Sequence, residues 1–257
     1  MTDSAPPSPP AILYARGIRL VEGAPAIDTV VREGEIIGLA GLEGHGQQRF
    51  LQILCGLHPP AEGVVEAVQP DGKTIRITSL HKAARAGIAY LPRERKTEGI
   101  LPVLSVLDNF AIATLPAFSR FGILQRGAQR RELAGFRDRL SMVFASPNAP
   151  ITSLSGGNQQ KVLLARWLAA APRVMLLNDP TRGVDMATKL KLYEVFREAA
   201  EQEQRALVLL SSEIEELVLL CDRTLIFRDG SVFAELERAN TSRSSILAAM
   251  FGRTDGN

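Results

Sequence analysis

Apolar residues in this chain gather into short unbroken runs, with few strictly alternating stretches. Glu35 to Ala40 (EIIGLA), Ile88 to Leu91, Val174 to Leu177 and Leu207 to Leu210 are such runs, and they predict strands buried on both faces. Ile12 to Val21 and Ala26 to Val31 read as short strands separated by turn residues. Helix-spaced segments lie between the runs. Arg49 to Cys55 predicts a helix stopped by Gly56 and by the prolines at 59 and 60. Val162 to Ala171 and Lys189 to Gln202 predict two more, and Leu164, Trp167, Leu168 and Ala171 fall at i, i+3, i+4 and i+7 on one helical face. Strands alternating with helices predict a parallel sheet covered on both sides. Residues 101–150 interrupt the alternation. They lean towards helix and predict an inserted helical subdomain, in which Arg126, Arg130, Arg131, Arg137 and Arg139 read as a solvated helix face. Residues 1–10 carry four prolines in their last five positions and read as an extended tail.

At 257 residues the chain can bury one substantial core or two small ones. An apolar fraction of 46% with 23% charged residues is ordinary for a soluble globular protein. A net charge of +2 gives no electrostatic reason to expect nucleic acid. No apolar run approaches the ~18 residues that span a bilayer, and the polar, proline-rich start has no signal-peptide pattern. Cys55 and Cys221 both sit in apolar stretches and read as buried thiols rather than a disulfide, which places the chain in the cytosol. His58 and His81 have no companions at metal spacing.

Candidate chemistry begins directly after the third predicted strand. GLEGHGQQ (Gly41 to Gln48) has the glycine skeleton of a P-loop, G-x-x-x-x-G-K-[ST]. In such a loop glycines let consecutive backbone N–H groups point into one concavity, and the following helix adds the positive end of its dipole. Gly41, Leu42, Glu43, Gly44, His45 and Gly46 form that cradle, and Gln47 and Gln48 stand at the lysine and hydroxyl positions. His45 reads as loop filler near phosphate. The plainer reading is a tight strand-to-helix turn, which the flanking strand and helix weaken. A second motif is far more specific: Leu154 to Val162 spells LSGGNQQKV, about 110 residues after the loop and 20 before an apolar strand.

LSGGNQQKV resembles the signature sequence of ABC-type ATPases, and the resemblance runs from about residue 12 to 250. VMLLNDPTRGVD (Val174 to Asp185) looks like the Walker B strand and D-loop, IAYLPRERKTEG (Ile88 to Gly99) like the Q-loop region, and LLSSEIEELVLLCDR (Leu209 to Arg223) like the switch region. The spellings ERKTEG, LSGGNQQKV and PTRGVD resemble the second nucleotide-binding half of monosaccharide-type ABC importers, where two halves are commonly fused. The implied fold is α/β: a P-loop NTPase of ABC type, with a mixed sheet core, an N-terminal antiparallel β subdomain and an inserted helical subdomain over about residues 100–160. The cassette would span 12–250, between a tail at 1–11 and another at 251–257.

Six positions depart from the family pattern. Gln47 and Gln48 replace the Walker A lysine and hydroxyl. Arg93 stands at the Q-loop glutamine, unless the register shifts by one to Glu94. Asn178 replaces the magnesium-binding aspartate, Asp179 the glutamate that polarises water, and Ser212 the switch histidine. No aromatic residue near Val21 to Ala26 offers to stack adenine. The resemblance implies that Ser155, Gly156, Gly157, Asn158 and Gln159, with Asp185 at the D-loop, face a nucleotide held by a partner. It further implies ATP held weakly by this chain and Mg2+ at the partner's site only. The implied partners are a second ATPase half with intact motifs, transmembrane permease subunits and, indirectly, a periplasmic or extracellular solute-binding protein, with no nucleic acid. The expected location is the cytoplasmic face of a bacterial inner membrane, and the expected role is an importer subunit for a sugar or similar small polar solute. A soluble ABC protein of DNA repair or translation and a stand-alone ATPase are the alternatives. The start of the chain fits a separate subunit or an excised half equally.

Overall fold

The computed structural model describes residues 9–120 and 122–253; the tail expected at 1–11 lies outside the described residues up to residue 8, and the one at 251–257 from residue 254. Two sheets form the frame. In the first, β1 (Ala11–Arg19) lies between β2 (Ile27–Arg32) and β4 (Glu62–Val68), with β5 (Thr74–Arg76) beyond β4, and every pairing is antiparallel. The second has the order β12-β11-β3-β10-β9-β6. Its strands β3 (Ile36–Gly41), β6 (Ile88–Leu91), β9 (Val174–Asn178), β10 (Ala206–Leu210) and β11 (Arg223–Arg228) are mutually parallel, and β12 (Ser231–Glu237) pairs antiparallel on the edge. The sheet is therefore mixed, as the family resemblance implied, with the parallel strands that the helix–strand alternation predicted and one antiparallel strand on its edge.

The unbroken apolar runs have a simple cause. Alternate residues of the central strands serve two separate cores. Met175, Leu177, Leu207, Leu209 and Ile226 face a core closed by helices. Val174, Leu176, Val208, Leu210, Leu39 and Phe227 face a second core, built with α1 (Gln47–Leu54) and the antiparallel sheet. Each fully buried aliphatic or aromatic side chain contributes roughly 1.5–3 kcal/mol, so both faces of these strands must be apolar. α2 (Leu80–Arg85) precedes β6, with Ser79 capping its start.

The segment between β6 and β9 is mostly helical. It contains α3 (Val106–Ala111), a short hairpin of β7 (Ser119–Arg120) and β8 (Ile123–Leu124), α4 (Arg126–Arg139) and α5 (Gly156–Ala169). All five arginines of the expected solvated face lie on α4; Arg126, Arg130, Arg131 and Arg137 are exposed, whereas Arg139 reaches Glu198 and Glu203. α6 (Met186–Glu201), α7 (Ile214–Leu220) and α8 (Arg243–Met250) complete the helical side.

α5 corrects the single-stripe expectation. It begins at Gly156 and buries every residue from Gln159 to Arg166, while Ala171 lies beyond its end with φ 48°. A helix buried nearly all round, against α3 and the sheet, has no single apolar face to read. Arg166, buried on α5, donates to the carbonyls of Asn109 (2.6 Å) and Gly99 (2.8 Å) and to Asn109 Oδ1 (3.0 Å). Burial pulls its guanidinium down to about 10. Asn109 Nδ2 in turn donates to the carbonyls of Leu101 and Ser105, both at 3.0 Å. This network ties the 99–109 segment to α5. Cys55 and Cys221 are free buried thiols; burial lifts Cys55 to about 11 and Cys221 well above the ordinary thiol range.

Arg166→Met should lower unfolding free energy by about 3 kcal/mol, because buried carbonyls lose a charged donor. Urea unfolding followed by circular dichroism checks it, through a lower midpoint at unchanged slope.

Candidate functional site

Four chain segments far apart in sequence end at one edge of the parallel sheet. The register sets Leu210 beside both Leu39 and Asn178, and Leu91 beside Leu177. The residues that follow each strand therefore leave the sheet at one level: the loop from Gly41, Arg93, Asp179, and Ser211 with Ser212. They line a single cleft of about 560 Å³, together with Arg49 and Gln52 of α1. A crevice beyond the carboxyl ends of parallel strands is where open α/β sheets place ligands.

The loop turns into α1 through Gly44 (φ 85°) and Gly46 (φ 108°), and Gly46 caps the helix without any side chain to cover its first N–H groups. Gln47 does not reach across the cleft. Its Nε2 donates to the carbonyls of Gly41 and Leu42, both at 3.0 Å, so the amide braces the loop against its own strand. Gln48 and Glu43 are exposed at the lip, and His45 Nδ1 is buried without a hydrogen-bond partner among the described residues. Leu42 and His45 form a turn inside the loop, with the His45 N–H donating to the Leu42 carbonyl at 3.1 Å.

Opposite the loop sits a charged pair. Asp179 is 5% exposed and holds φ 47°, a left-handed conformation that Asp tolerates better than most side chains. Its Oδ1 accepts from the Ser212 N–H at 2.7 Å, and its Oδ2 lies 3.0 Å from Arg93 Nε. That second contact is close but poorly aligned for a hydrogen bond, since Arg93 Nε finds no acceptor by angle; we read it as an ion pair. Glu94 does not line the cleft and pairs instead with Arg182, which leaves Arg93 as the residue of this loop inside it. Asn178 is fully buried, with its Nδ2 at 3.5 Å from Tyr90 Oη and its Oδ1 without a partner.

The second motif lies at the head of α5. Ser155 caps the helix, accepting from the Asn158 N–H at 3.4 Å and from Asn158 Nδ2 at 3.0 Å. Asn158 Oδ1 accepts from the Val143 N–H, and Gln159 Nε2 donates to the carbonyls of Leu154 and Ile151, so both side chains shape the turn from within. A Cβ on Gly157 would sit 4.0 Å from Asp185 Oδ2, which brings the D-loop residue beside the turn. Asp185 also caps α6, accepting from the N–H (2.9 Å) and hydroxyl (2.8 Å) of Thr188, and these bonds hold its carboxyl below the usual range. Sequence reading gave it only an outward role. It also missed Arg95, whose Nη2 would lie 2.8 Å from a Cβ on Gly156, so a side chain there would push the arginine tip aside. Desolvation first, then the nearby Arg182, lower the Arg95 pKa. Arg95 stands in the quoted ERKTEG turn, but nothing in its spacing points to the helix it meets.

A strand–glycine loop–helix at the switch edge of a mixed sheet, with LSGGNQQ heading a buried helix, defines a P-loop ATP-binding cassette. The sequence matches the ABC transporter family profile over residues 26–182, and the chain belongs to that family. It is 38% identical over 240 residues to the ribose import ATP-binding protein RbsA 1 of Rhizobium johnstonii, covering 93% of this chain and 46% of that protein. The arabinose import ATP-binding protein AraG 2 of Burkholderia cenocepacia is 36% identical over 242 residues, 94% of this chain and 46% of the relative. The chain thus spans about half the length of these curated relatives. Among solved structures, a dimeric post-hydrolysis ATP-binding cassette bound to ADP and Pi superimposes with a TM-score of 0.74 at 21% identity, covering 88% of this chain and 99% of that one.

Gly46→Ala should cost about 1–3 kcal/mol of stability, since a side chain there is strained in conformation and meets Leu20 Cδ1 at 2.5 Å. A lowered urea midpoint is the readout; an unchanged one would mean the loop relaxes freely.

Proposed function

We propose that this chain is the ATP-binding component of an importer for a sugar or similar small polar solute, and that it completes a partner's nucleotide site rather than turning over ATP in its own. The observation that carries this reading is the contrast between its two phosphate-facing surfaces. Ser155, Gly156 and Gly157 present a hydroxyl and backbone N–H groups at the start of a 14-residue helix, a ready site for an anion held by another subunit. Relatives named for ribose and arabinose import support the solute class.

The chain's own cleft lacks the parts that hydrolysis needs. Phosphoryl transfer depends on positioning, on charge neutralisation and on an oriented water. Magnesium takes near-octahedral oxygen ligands and usually one or two carboxylates. Gln48 and Asn178 bring amides to those positions, and the Asp179 carboxylate is already engaged by Ser212 N–H and Arg93. These residues do not fit the ion. Loss of the lysine's charge-assisted contact costs roughly 1.5–3 kcal/mol, about 10–100-fold in nucleotide affinity.

Among the described residues no helix is long and apolar enough to cross a membrane, so a permease would be contributed by other chain segments or subunits. An apolar groove of about 670 Å³ beside α2, β6 and α5, lined by Leu57, Leu80, Tyr90, Leu163 and Trp167, is the surface assigned to receive it. A second ATPase half with intact motifs, and a solute-binding protein outside the membrane, complete the assembly.

In the assembled complex Ser155→Arg should abolish ATP turnover, whereas Gln47→Ala should leave it nearly unchanged; phosphate release from reconstituted complex measures both. Reversed outcomes would overturn the assignment. Co-purification from membranes should recover a permease and a second ABC subunit, and recovery of ribosomes or DNA would favour the non-transport reading.

A further inference from the structure

We propose that the cleft of this chain binds a nucleoside polyphosphate without a divalent metal, with the Arg93 guanidinium supplying the positive charge. The inference rests on the reading of GLEGHG as a phosphate loop and goes beyond it in naming how the anion is neutralised.

Three features converge. Arg93 is ion-paired rather than hydrogen-bonded: its Nε lies 3.0 Å from Asp179 Oδ2 with no aligned acceptor, so the guanidinium has room to turn towards an anion. Its side chain lines the same cleft as Gly44, Gly46, Ser211 and Ser212. A guanidinium offers a planar fork that matches two oxygens of one phosphate. Asp179 keeps the Ser212 N–H whichever way Arg93 turns, so a bound phosphate would not strand a buried carboxylate without a donor.

The second feature is the helix start. The first turn of α1 has no side-chain cap, and the Gln47 amide is spent on the Gly41 and Leu42 carbonyls rather than on the N–H groups. Those N–H groups remain open to an anion. Arg49, on the same turn, adds a second cation to the lining. The third feature is the donor set. Glu43 and Asp179 are the carboxylates of the cleft; one is exposed at the lip and the other is paired. A metal would find amides where it needs oxygens of high charge, and Arg93 already stands beside the one buried carboxylate. The same substitutions that remove a magnesium site leave an arginine site.

The test is calorimetric titration of ATP and of ADP into the full chain, in buffer with magnesium and in buffer with EDTA, for wild type, Arg93→Gln and Arg93→Lys. Arg93 is about one-third exposed, so both variants should fold, and circular dichroism verifies it. Wild-type affinity should agree within about threefold between the two buffers. Arg93→Gln should lose about 10–100-fold in EDTA, the scale of a charge-assisted contact. Arg93→Lys should fall between, keeping the charge but not the fork. Wild-type binding that collapses in EDTA, Arg93→Gln binding as tightly as wild type, or no nucleotide binding in either buffer would each overturn the proposal. None of those results touches the outcome for Ser155→Arg in the assembled complex, which reports on the α5 turn alone. Conversely, a Ser155→Arg complex with full turnover would sink the partner-site reading and leave this one intact.

Discussion

The parallel pairing of β3, β10, β9 and β6 is the constraint on which every other feature depends. Because these strands run the same way and in register, the chain must leave each of them at the same edge. Segments separated by more than a hundred residues then meet in one crevice without any contact designed for that purpose. Side chains supply the chemistry, but hydrogen-bond register supplies the address. The antiparallel sheet and the helices on either side serve to bury the two faces of this one sheet.

Much of that frame was legible in the sequence because the central strands bury both faces. Ile88–Leu91 matches its predicted span, and Val174–Asn178 and Ala206–Leu210 differ by one residue. Strands that meet water on one side escaped notice. β4 (EGVVEAV) carries glutamates within it, and β12 (SVFAELE) is a half-exposed edge strand with glutamates at alternate positions of its second half. The Ala171 position failed for the opposite reason: α5 is so deeply enclosed that its apolar residues have no preferred direction. Site residues were legible where a motif fixed them in a loop. What spacing could not convey was where long side chains go, and so the pairing of Arg93 with Asp179, the inward fold of Gln47 and the reach of Arg95 to Gly156 all waited for coordinates.

The turn at Ser155 and the glycine loop before α1 are maintained by different physics. The turn at Ser155 heads a helix that is buried, capped and tied through Arg166 and Asn109 to the neighbouring segment. The P-loop keeps its shape through glycine conformations and an amide brace, with little burial behind it. With amides at Gln47 and Gln48, the cleft carries its positive charge on Arg49 and Arg93.

Three consecutive side chains have a consequence of their own. Arg93 stands in the crevice, Glu94 grips Arg182 in the loop leading to Asp185, and Arg95 wedges against Gly156. Two peptide bonds thus join the crevice, the loop that leads to Asp185 and the head of α5.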